Sequence, residues 1–268
     1  MKKILTTAIL CAGLVGFTAC DSFLDEDPKS SLTLDTYYKT SADIIGNVNY
    51  LYRDGAPDKM GNMTGAYRGS SLSVMNMVTG YFVNEYEGQE VDCSYARQLT
   101  RQNFTQSCCN YLTNDTWKSC YKSINVANAV IKYVDGVEMD NQAQYKAEAR
   151  FFRALNYFYL VKMFGDVPMV IEPTEDATLV EYPTRTAASE VFNTVIIPDL
   201  QFAVENLPNA TFAGNSHRVT KYAADMLLAD VYMRLGEYAN AVTPLKDVIN
   251  SGKFALATNY NLAEGSAF

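Results

Sequence analysis

Residues 147–168 constrain the fold more than any other part of this 268-residue chain. Apolar side chains recur there at three- and four-residue steps, which is typical of one face of a helix, and further apolar residues widen that face. The apolar face consists of Ala147, Phe151, Ala154, Leu155, Phe158 and Val161, widened by Phe152, Tyr159 and Met163, and the polar side consists of Arg150, Arg153 and Lys162. Gly165 favours a helix stop, and Pro168 keeps the helix from resuming at once. Such a helix must be covered on two sides, which places it at the centre of an all-helical core.

Helical periodicity recurs through most of the remaining chain. The segments with this pattern are 36–54, 70–82, 116–134, 187–207, 219–235 and 238–249. No segment shows the sustained strict alternation that a half-buried strand needs. Pro198 is expected to interrupt or bend the helix that contains it, and residues 84–103 read as a long loop. The chain is therefore predicted to be all-α.

The last two helical segments carry a repeat signal. Leu228, Ala229 and Tyr232 fall on the first of them and Ala241 on the second, with Gly236 between, as in a tetratricopeptide unit. The two alanines allow the helices to touch, and the glycine lets the chain reverse. An ordinary antiparallel helix hairpin would satisfy the same spacing, but the repeat interpretation is preferred for this pair.

Repeats of this kind need neighbours to bury their faces, so the other helices are expected to pair as well. The predicted pairs are 116–134 with 140–164 and 187–207 with 219–235, with the last helix left without a partner. Pro244 is expected to bend that last helix.

The N-terminus has the features of a secretory signal. A basic head is followed by an apolar run that is too short to span a bilayer, and the run ends at Ala19 and Cys20. Residues 1–19 are predicted to be the signal peptide, with Cys20 as the lipid-bearing first residue of the mature protein. An ordinary cleaved signal, in which Cys20 is incidental, is the alternative. Residues 20–35 hold consecutive acids before a proline and are predicted to be a solvated tether.

Charge limits the classes of partner. The formal net charge is −8, and removal of the signal makes the mature chain more negative because it takes away Lys2 and Lys3. An acidic body argues against nucleic acid and anionic lipid as partners. It is consistent with an extracellular module.

Several motifs together resemble one family. They are Phe17-Thr18-Ala19-Cys20, which resembles a bacterial lipobox, Tyr37-Tyr38 to Tyr52, Trp117-x3-Tyr121-x2-Ile124-x3-Asn128, Glu148 to Ala154, and Phe164-Gly165-Asp166-Val167-Pro168. With these motifs the chain resembles the SusD/RagB family of Bacteroidetes outer-membrane lipoproteins along its whole length. The resemblance implies a non-catalytic, tetratricopeptide-like helical scaffold.

The resemblance also implies partners and location. Such proteins sit on a SusC-like, barrel-shaped TonB-dependent transporter and capture nutrients, often glycans and sometimes peptides. The acids after Cys20 resemble a surface-export signal, so the expected location is the outer membrane, lipid-anchored and facing outward. A lipid-anchored helical-repeat scaffold that binds a protein partner is the alternative function.

Family members run about twice as long, so the chain is expected to be an N-terminal fragment. Residues 36–215 are then the SusD-like N-terminal helical domain, and residues 216–268 are the start of the RagB/SusD C-terminal region.

Sugar binding needs flat aromatic rings beside groups that hydrogen-bond to hydroxyls. The aromatic and polar residues in loop context, rather than at helical spacing, are the candidates, although a structural role is the more common one for each such residue. They are Tyr81, Tyr86, Tyr95, Arg97, Arg101 and Asn103.

Catalytic and metal chemistry find little support. His217 is the only histidine and lies in a polar loop, where a solvated side chain is expected rather than a triad member. The acids that could supply a glycosidase pair, Glu85, Glu87, Glu90 and Asp92, also lie in a polar loop. No glycine-rich phosphate loop occurs, and no cofactor is expected.

The predicted mature chain has four cysteines besides the candidate lipid-bearing residue. They are Cys93, Cys108, Cys109 and Cys120, and their spacing has no C-x-x-C pair, so a zinc site is weakly supported. An exported compartment permits disulfides, and the predicted arrangement is one bridge that joins the long loop to the 108–120 region. Buried free thiols are the alternative.

Arg150 and Arg153 could bind the carboxylate of a ligand, because paired arginines can hold a carboxylate. The predicted partners are instead acids such as Glu148 or the carbonyls of the next turn. The long helix is not expected to contact ligand.

Overall fold

A computed structural model describes residues 33–53, 79–81, 98, 100–103, 116–175 and 183–255. The α-helices with described bounds are α1 (Leu34–Tyr37), α2 (Ser41–Arg53), α3 (Lys118–Tyr133), α4 (Gln142–Phe164), α5 (Ala188–Val191), α6 (Ile197–Asn206), α7 (Lys221–Arg234) and α8 (Tyr238–Asn250). Residues 98 and 100 are also helical, so the prediction that residues 84–103 form a loop is wrong at these positions. Within the same ranges the only β-type pairing is an isolated antiparallel bridge between Val167 and Thr186. The prediction of an all-α fold is confirmed.

The described residues before Tyr38 belong to a unit separate from the rest of the chain. In that unit α1 begins after Thr33, whose backbone N–H donates to the hydroxyl of Thr36 over 3.0 Å. This bond satisfies one of the donors that a helix start leaves without a backbone partner. The predicted signal peptide and most of the predicted tether lie outside the described residues.

Helix α4 is the centre of the larger unit. It packs against α3 and α6 and is also contacted by α2 and α7. Phe152, Tyr157 and Phe158 are all buried, and so is Phe151. Burying one such side chain stabilises the fold by roughly 1.5–3 kcal/mol. The predicted covering of this helix on two sides is confirmed.

Beyond α4 the helices pack in series, α4 with α6, α6 with α7, and α7 with α8. The expectation that the last helix lacks a partner is wrong, because α8 folds back on α7. Ala229 and Ala241 are both buried, and Gly236 takes a φ of +76° at the reversal between the two helices. Small residues let the two backbones approach, which is the physical basis of the repeat signal. Helix α8 continues through the buried Pro244.

The segment around Pro198 shows how a proline is accommodated inside a helical rod. Residues Phe192–Ile196 form a π-helical turn between α5 and α6, and Pro198 is one of the first two residues of α6. In an α-helix, proline lacks the N–H that would donate to the carbonyl four residues earlier, and its ring clashes with that carbonyl. The wider π-helical turn before Pro198 avoids both problems. The predicted interruption is confirmed.

None of the helices in the described ranges has the length and apolar character needed to cross a membrane.

Helix α4 ends at Gly165, which has φ +68° and ψ −123°. This combination of φ and ψ is strained for any residue with a Cβ. The strain is in the backbone alone, because a Cβ added at Gly165 would meet no atom within 4 Å. We expect Gly165→Ala to lower the free energy of unfolding by about 1–3 kcal/mol, measured by urea denaturation.

Gly46 provides the matched control for that substitution. It lies exposed inside α2, and a Cβ added there also meets no atom within 4 Å. Gly46→Ala should raise the free energy of unfolding by about 0.5–1 kcal/mol. Equal effects of the two substitutions would contradict the assignment of strain to Gly165.

Candidate functional site

The chain that leaves α4 crosses the molecule as an extended strap, here residues 165–175, held by polar side chains of α3 and α4. The hydroxyl of Tyr121 donates to the carbonyl oxygen of Pro168 over 2.7 Å. The hydroxyl of Tyr157 donates to the carbonyl of Val170 over 2.8 Å and accepts its N–H over 2.7 Å. The amide of Asn128 donates to the Val170 carbonyl over 3.0 Å. Apart from the bridge at Val167, the strap has no sheet pairing among the described residues, and these bonds give its backbone groups partners that they would otherwise lack.

Both ends of the strap are also fixed. Oδ1 of Asp166 accepts the N–H of Ala188 over 2.9 Å, so this side chain serves the start of α5. At the other end, Lys132 and Tyr133 donate to Glu175 over 2.5 and 2.9 Å. The Phe-Gly-Asp-x-Pro sequence thus has a structural role: it ends one helix and places the start of the next.

A buried ion pair lies beside the strap. The Nε and Nη2 atoms of Arg153 donate to the two carboxylate oxygens of Asp199 over 2.6 and 2.9 Å, and Nη1 donates to Oδ1 of Asn128 over 2.9 Å. Only 8% of Arg153 is exposed, so its placement on the polar side of the helix was wrong. Arg150 stacks on the ring of Phe202, 4.3 Å from its centroid, and approaches Asp199 at 3.7 Å.

The predicted pairing of these two arginines with Glu148 or with carbonyls of the next turn was also wrong. Their common acid is Asp199 on α6, which lies 46 residues after Arg153. A helix face can be read from local spacing, but the partner that packing brings to it cannot.

Glu148 belongs to a second network that joins α2, α4 and the loop before α7. It is fully buried, and Nε of Arg218 donates to both of its oxygens over 3.0 and 3.1 Å. The hydroxyl of Tyr52 donates to Oε2 of Glu148 over 2.9 Å and accepts the N–H of Val219 over 3.0 Å. Nη1 of Arg218 donates to Asn49 over 2.8 Å. Every charged atom of the carboxylate therefore has a partner, which a buried charge requires.

The structure describes three of the six predicted ligand residues. Tyr81 is 90% exposed, and Arg101 and Asn103 are also exposed. Within the described ranges, no hydrogen bond or ring contact joins Tyr81 to the other two. Tyr86, Tyr95 and Arg97 lie outside the described residues, as do the four acids considered for a glycosidase pair. The ligand role of these residues remains a prediction.

The other candidate residues for chemistry have structural explanations where they are described. His217 is exposed in its loop, with its ring 5.2 Å from that of Phe212. Cys120 is a buried free thiol, and burial raises its pKa to about 12. This agrees with the alternative of buried thiols for Cys120; the other three cysteines lie outside the described residues. In the part of the chain that the structure describes, no group of three or more His, Cys, Asp or Glu could hold a metal ion.

Three tyrosines with buried or partly buried hydroxyls predict that the protein loses stability as pH rises. Removal from solvent raises the pKa of Tyr157 to about 12 from its ordinary value near 10, and it raises the pKa of Tyr52 and Tyr121 as well. Between these pH values the unfolded chain loses the Tyr157 proton while the folded chain keeps it, so stability is lost as pH rises. We expect this group alone to remove about 2–3 kcal/mol of the free energy of unfolding by about pH 12.

The check is a series of urea denaturations from about pH 9 to pH 12, with Tyr157→Phe as the comparison. The variant lacks this proton, so its stability should fall less steeply over that range. Parallel curves for the two proteins would contradict the assignment.

The fold defines a class: a helical scaffold in which successive helices pack in series around one central helix. A profile of the SusD-like family, described as "Starch-binding associating with outer membrane", matches residues 22–233, most of the chain. The chain therefore belongs to the SusD-like family. The family resemblance in the sequence motifs is confirmed.

Individual relatives agree with this assignment. The chain is 29% identical over 254 residues to SusD-like protein P2 of Formosa agariphila, covering 94% of this chain and 47% of that protein. A SusD-like carbohydrate-binding protein of Bacteroides fragilis superposes with a TM-score of 0.65 at 20% identity, covering 84% of this chain and 43% of that one. A crystal structure with xylogluco-oligosaccharide superposes with a TM-score of 0.61 at 25% identity, covering 81% and 42%.

The chain thus spans less than half the length of each of these relatives.

Proposed function

We propose that this protein is a non-catalytic, lipid-anchored surface protein that binds a nutrient glycan and delivers it to a TonB-dependent outer-membrane transporter. The observation that carries the proposal is the family match over residues 22–233, which includes the central helix and the strap. The relative solved with xylogluco-oligosaccharide supports a glycan as the ligand class.

A glycan and peptide array probed with the full-length protein tests the ligand class. We expect binding to one group of neutral oligosaccharides, with the affinity then measured by calorimetry. Binding to peptides alone would favour the alternative of a helical-repeat scaffold for a protein partner. Binding to neither class would overturn the proposal.

The lipid anchor is proposed from Cys20, which ends an apolar run in a lipobox-like context, and from the acids that follow it. Several acyl chains on one residue would hold the protein firmly, because each buried methylene adds roughly 0.8 kcal/mol. Labelled palmitate should be incorporated by the wild type and not by Cys20→Ala. Equal labelling of both would refute the anchor, and protease treatment of intact cells reports whether the protein faces outward.

Delivery to a transporter is tested by co-purification. A tagged full-length protein, extracted in mild detergent from cells that express its natural neighbours, should carry a SusC-like barrel with it. Recovery without any barrel would count against delivery while leaving glycan binding intact.

The non-catalytic part of the proposal has its own assay. Incubation of the full-length protein with each glycan found on the array should release no reducing sugar. Release that disappears in Glu90→Gln would revive the glycosidase interpretation.

A further inference from the structure

A polar cleft of about 720 Å³ opens between the start of α2 and the start of α4. Ser41 and Ile45 of α2 line one wall. Glu138, Asp140 and Asn141, from the turn before α4, line the other, with Tyr145 from the first helical turns. Its volume lies within the range of about 300–1,000 Å³ found for small-molecule sites.

The polar side chains of this cleft have no hydrogen-bond or ion-pair partners among the residues that the structure describes. Within the described residues, the side chains of Ser41, Glu138, Asp140 and Asn141 make no hydrogen bond or ion pair, and neither does the hydroxyl of Tyr145. The neighbouring polar side chains differ, since those around Glu148 are joined in one network. The cleft therefore keeps its donors and acceptors available for a ligand.

The aromatic residue of the cleft, Tyr145, contacts the network around Glu148. The guanidinium of Arg218 lies 5.3 Å from the centroid of the Tyr145 ring, and Arg218 is itself fixed by Glu148 and Asn49. A ring fixed by such contacts loses little freedom when a ligand packs on it. The network that stabilises the fold thus also orients one wall of the cleft.

The composition of the lining selects a class of ligand. Two carboxylates disfavour anions, and in the described part of the chain no group of three or more ligating side chains forms a metal site. Carboxylate, amide and hydroxyl groups beside one ring and the apolar side chains of Ile45 and Met139 suit a molecule with many hydroxyl donors and an apolar face. We propose that this cleft is a subsite for a neutral oligosaccharide; this rests on the proposed glycan-binding function and adds a place outside the 81–103 loop where a glycan is held.

The test uses the full-length protein and the array glycan that binds it best, starting with xylogluco-oligosaccharide. Glu138→Ala/Asp140→Ala should weaken binding about a hundredfold or more, because each lost carboxylate removes a hydrogen bond to a charged group. Tyr145→Phe removes only the hydroxyl and should weaken binding about fivefold. The matched control, Glu190→Ala/Asp230→Ala, removes two exposed carboxylates from α5 and α7 and should bind like the wild type.

Two further readouts complete the test. Hydrogen exchange at residues 138–145 should slow when the glycan is added, and the affinity should be the same at low and high salt, as for an uncharged ligand. Full affinity in both cleft variants would overturn the subsite and leave glycan binding standing. Failure of the wild type to bind any glycan would overturn both proposals, and binding that falls steeply with salt would replace the neutral sugar by a cationic ligand and so overturn this assignment.

Discussion

Arg153→Ala is expected to lower the free energy of unfolding by about 3 kcal/mol, the low end for a broken buried pair, because the buried carboxylate of Asp199 keeps only Arg150, at 3.7 Å, as a charged partner. The substitution removes both bonds from Arg153 to that carboxylate and the bond to Asn128. Asn128 also holds the strap through the Val170 carbonyl, so part of the loss should appear as faster hydrogen exchange in residues 166–172. Urea denaturation measures the first effect and exchange mass spectrometry the second.

Arg234→Ala is the matched control, because Arg234 is an exposed arginine in the last turn of α7. Surface substitutions of this kind usually change stability by no more than about 0.5 kcal/mol. The double variant Arg153→Met/Asp199→Leu replaces the pair by apolar groups and should recover most of the loss. A loss in Arg153→Ala no larger than in the control would show that the buried pair does not support the core.

The second large effect concerns Glu148 and Arg218. Glu148→Ala is expected to lower the free energy of unfolding by about 3 kcal/mol, the low end for a broken buried pair, because Arg218 keeps about a fifth of its side chain in solvent. The same change removes the acceptor of the Tyr52 hydroxyl, whose oxygen also receives the N–H of Val219. Since this network joins α2 to the loop before α7, its loss should loosen contacts far apart in sequence.

A double-mutant cycle with Arg218→Ala isolates the pair. We expect a coupling free energy of about 1–3 kcal/mol between Glu148 and Arg218, measured by urea denaturation of the two single variants and the double variant. Additive effects would mean that the two side chains act independently. In the same variants the ring of Tyr145 loses its fixed neighbour, so weaker glycan binding by Arg218→Ala would connect this network to the proposed cleft.

The sequence predicts the helices well because their signals are local. The face of α4 is visible at three- and four-residue steps, and its end is visible in Gly165, which takes φ +68°. The close contact of α7 and α8 was visible in the small residues Ala229 and Ala241, even though α8 was expected to lack a partner. Short-range periodicity and backbone preference decide each of these features.

The partners of charged side chains could not be predicted in the same way. Glu148 and Arg218 are 70 residues apart, and Asp199 lies beside a proline in a segment whose sequence suggested only a bend. The cleft lined by Ser41 and Tyr145 is formed by residues from α2, from α4 and from the turn before α4, and none of them has a sequence motif. The packing of the helices decides these contacts, and local spacing in a single sequence does not show which helices pack together.

By itself, then, the sequence determined where the helices run, why α4 is central and to which family the motifs point, because these depend on neighbours along the chain. Only the tertiary structure decided that Arg153 is buried against Asp199, that Glu148 is buried and paired with Arg218, and that a cleft with unpaired polar groups opens beside α4. The physical reason is that burial and ion pairing depend on which surfaces meet in space, and α4 meets most of its neighbours across long separations in sequence.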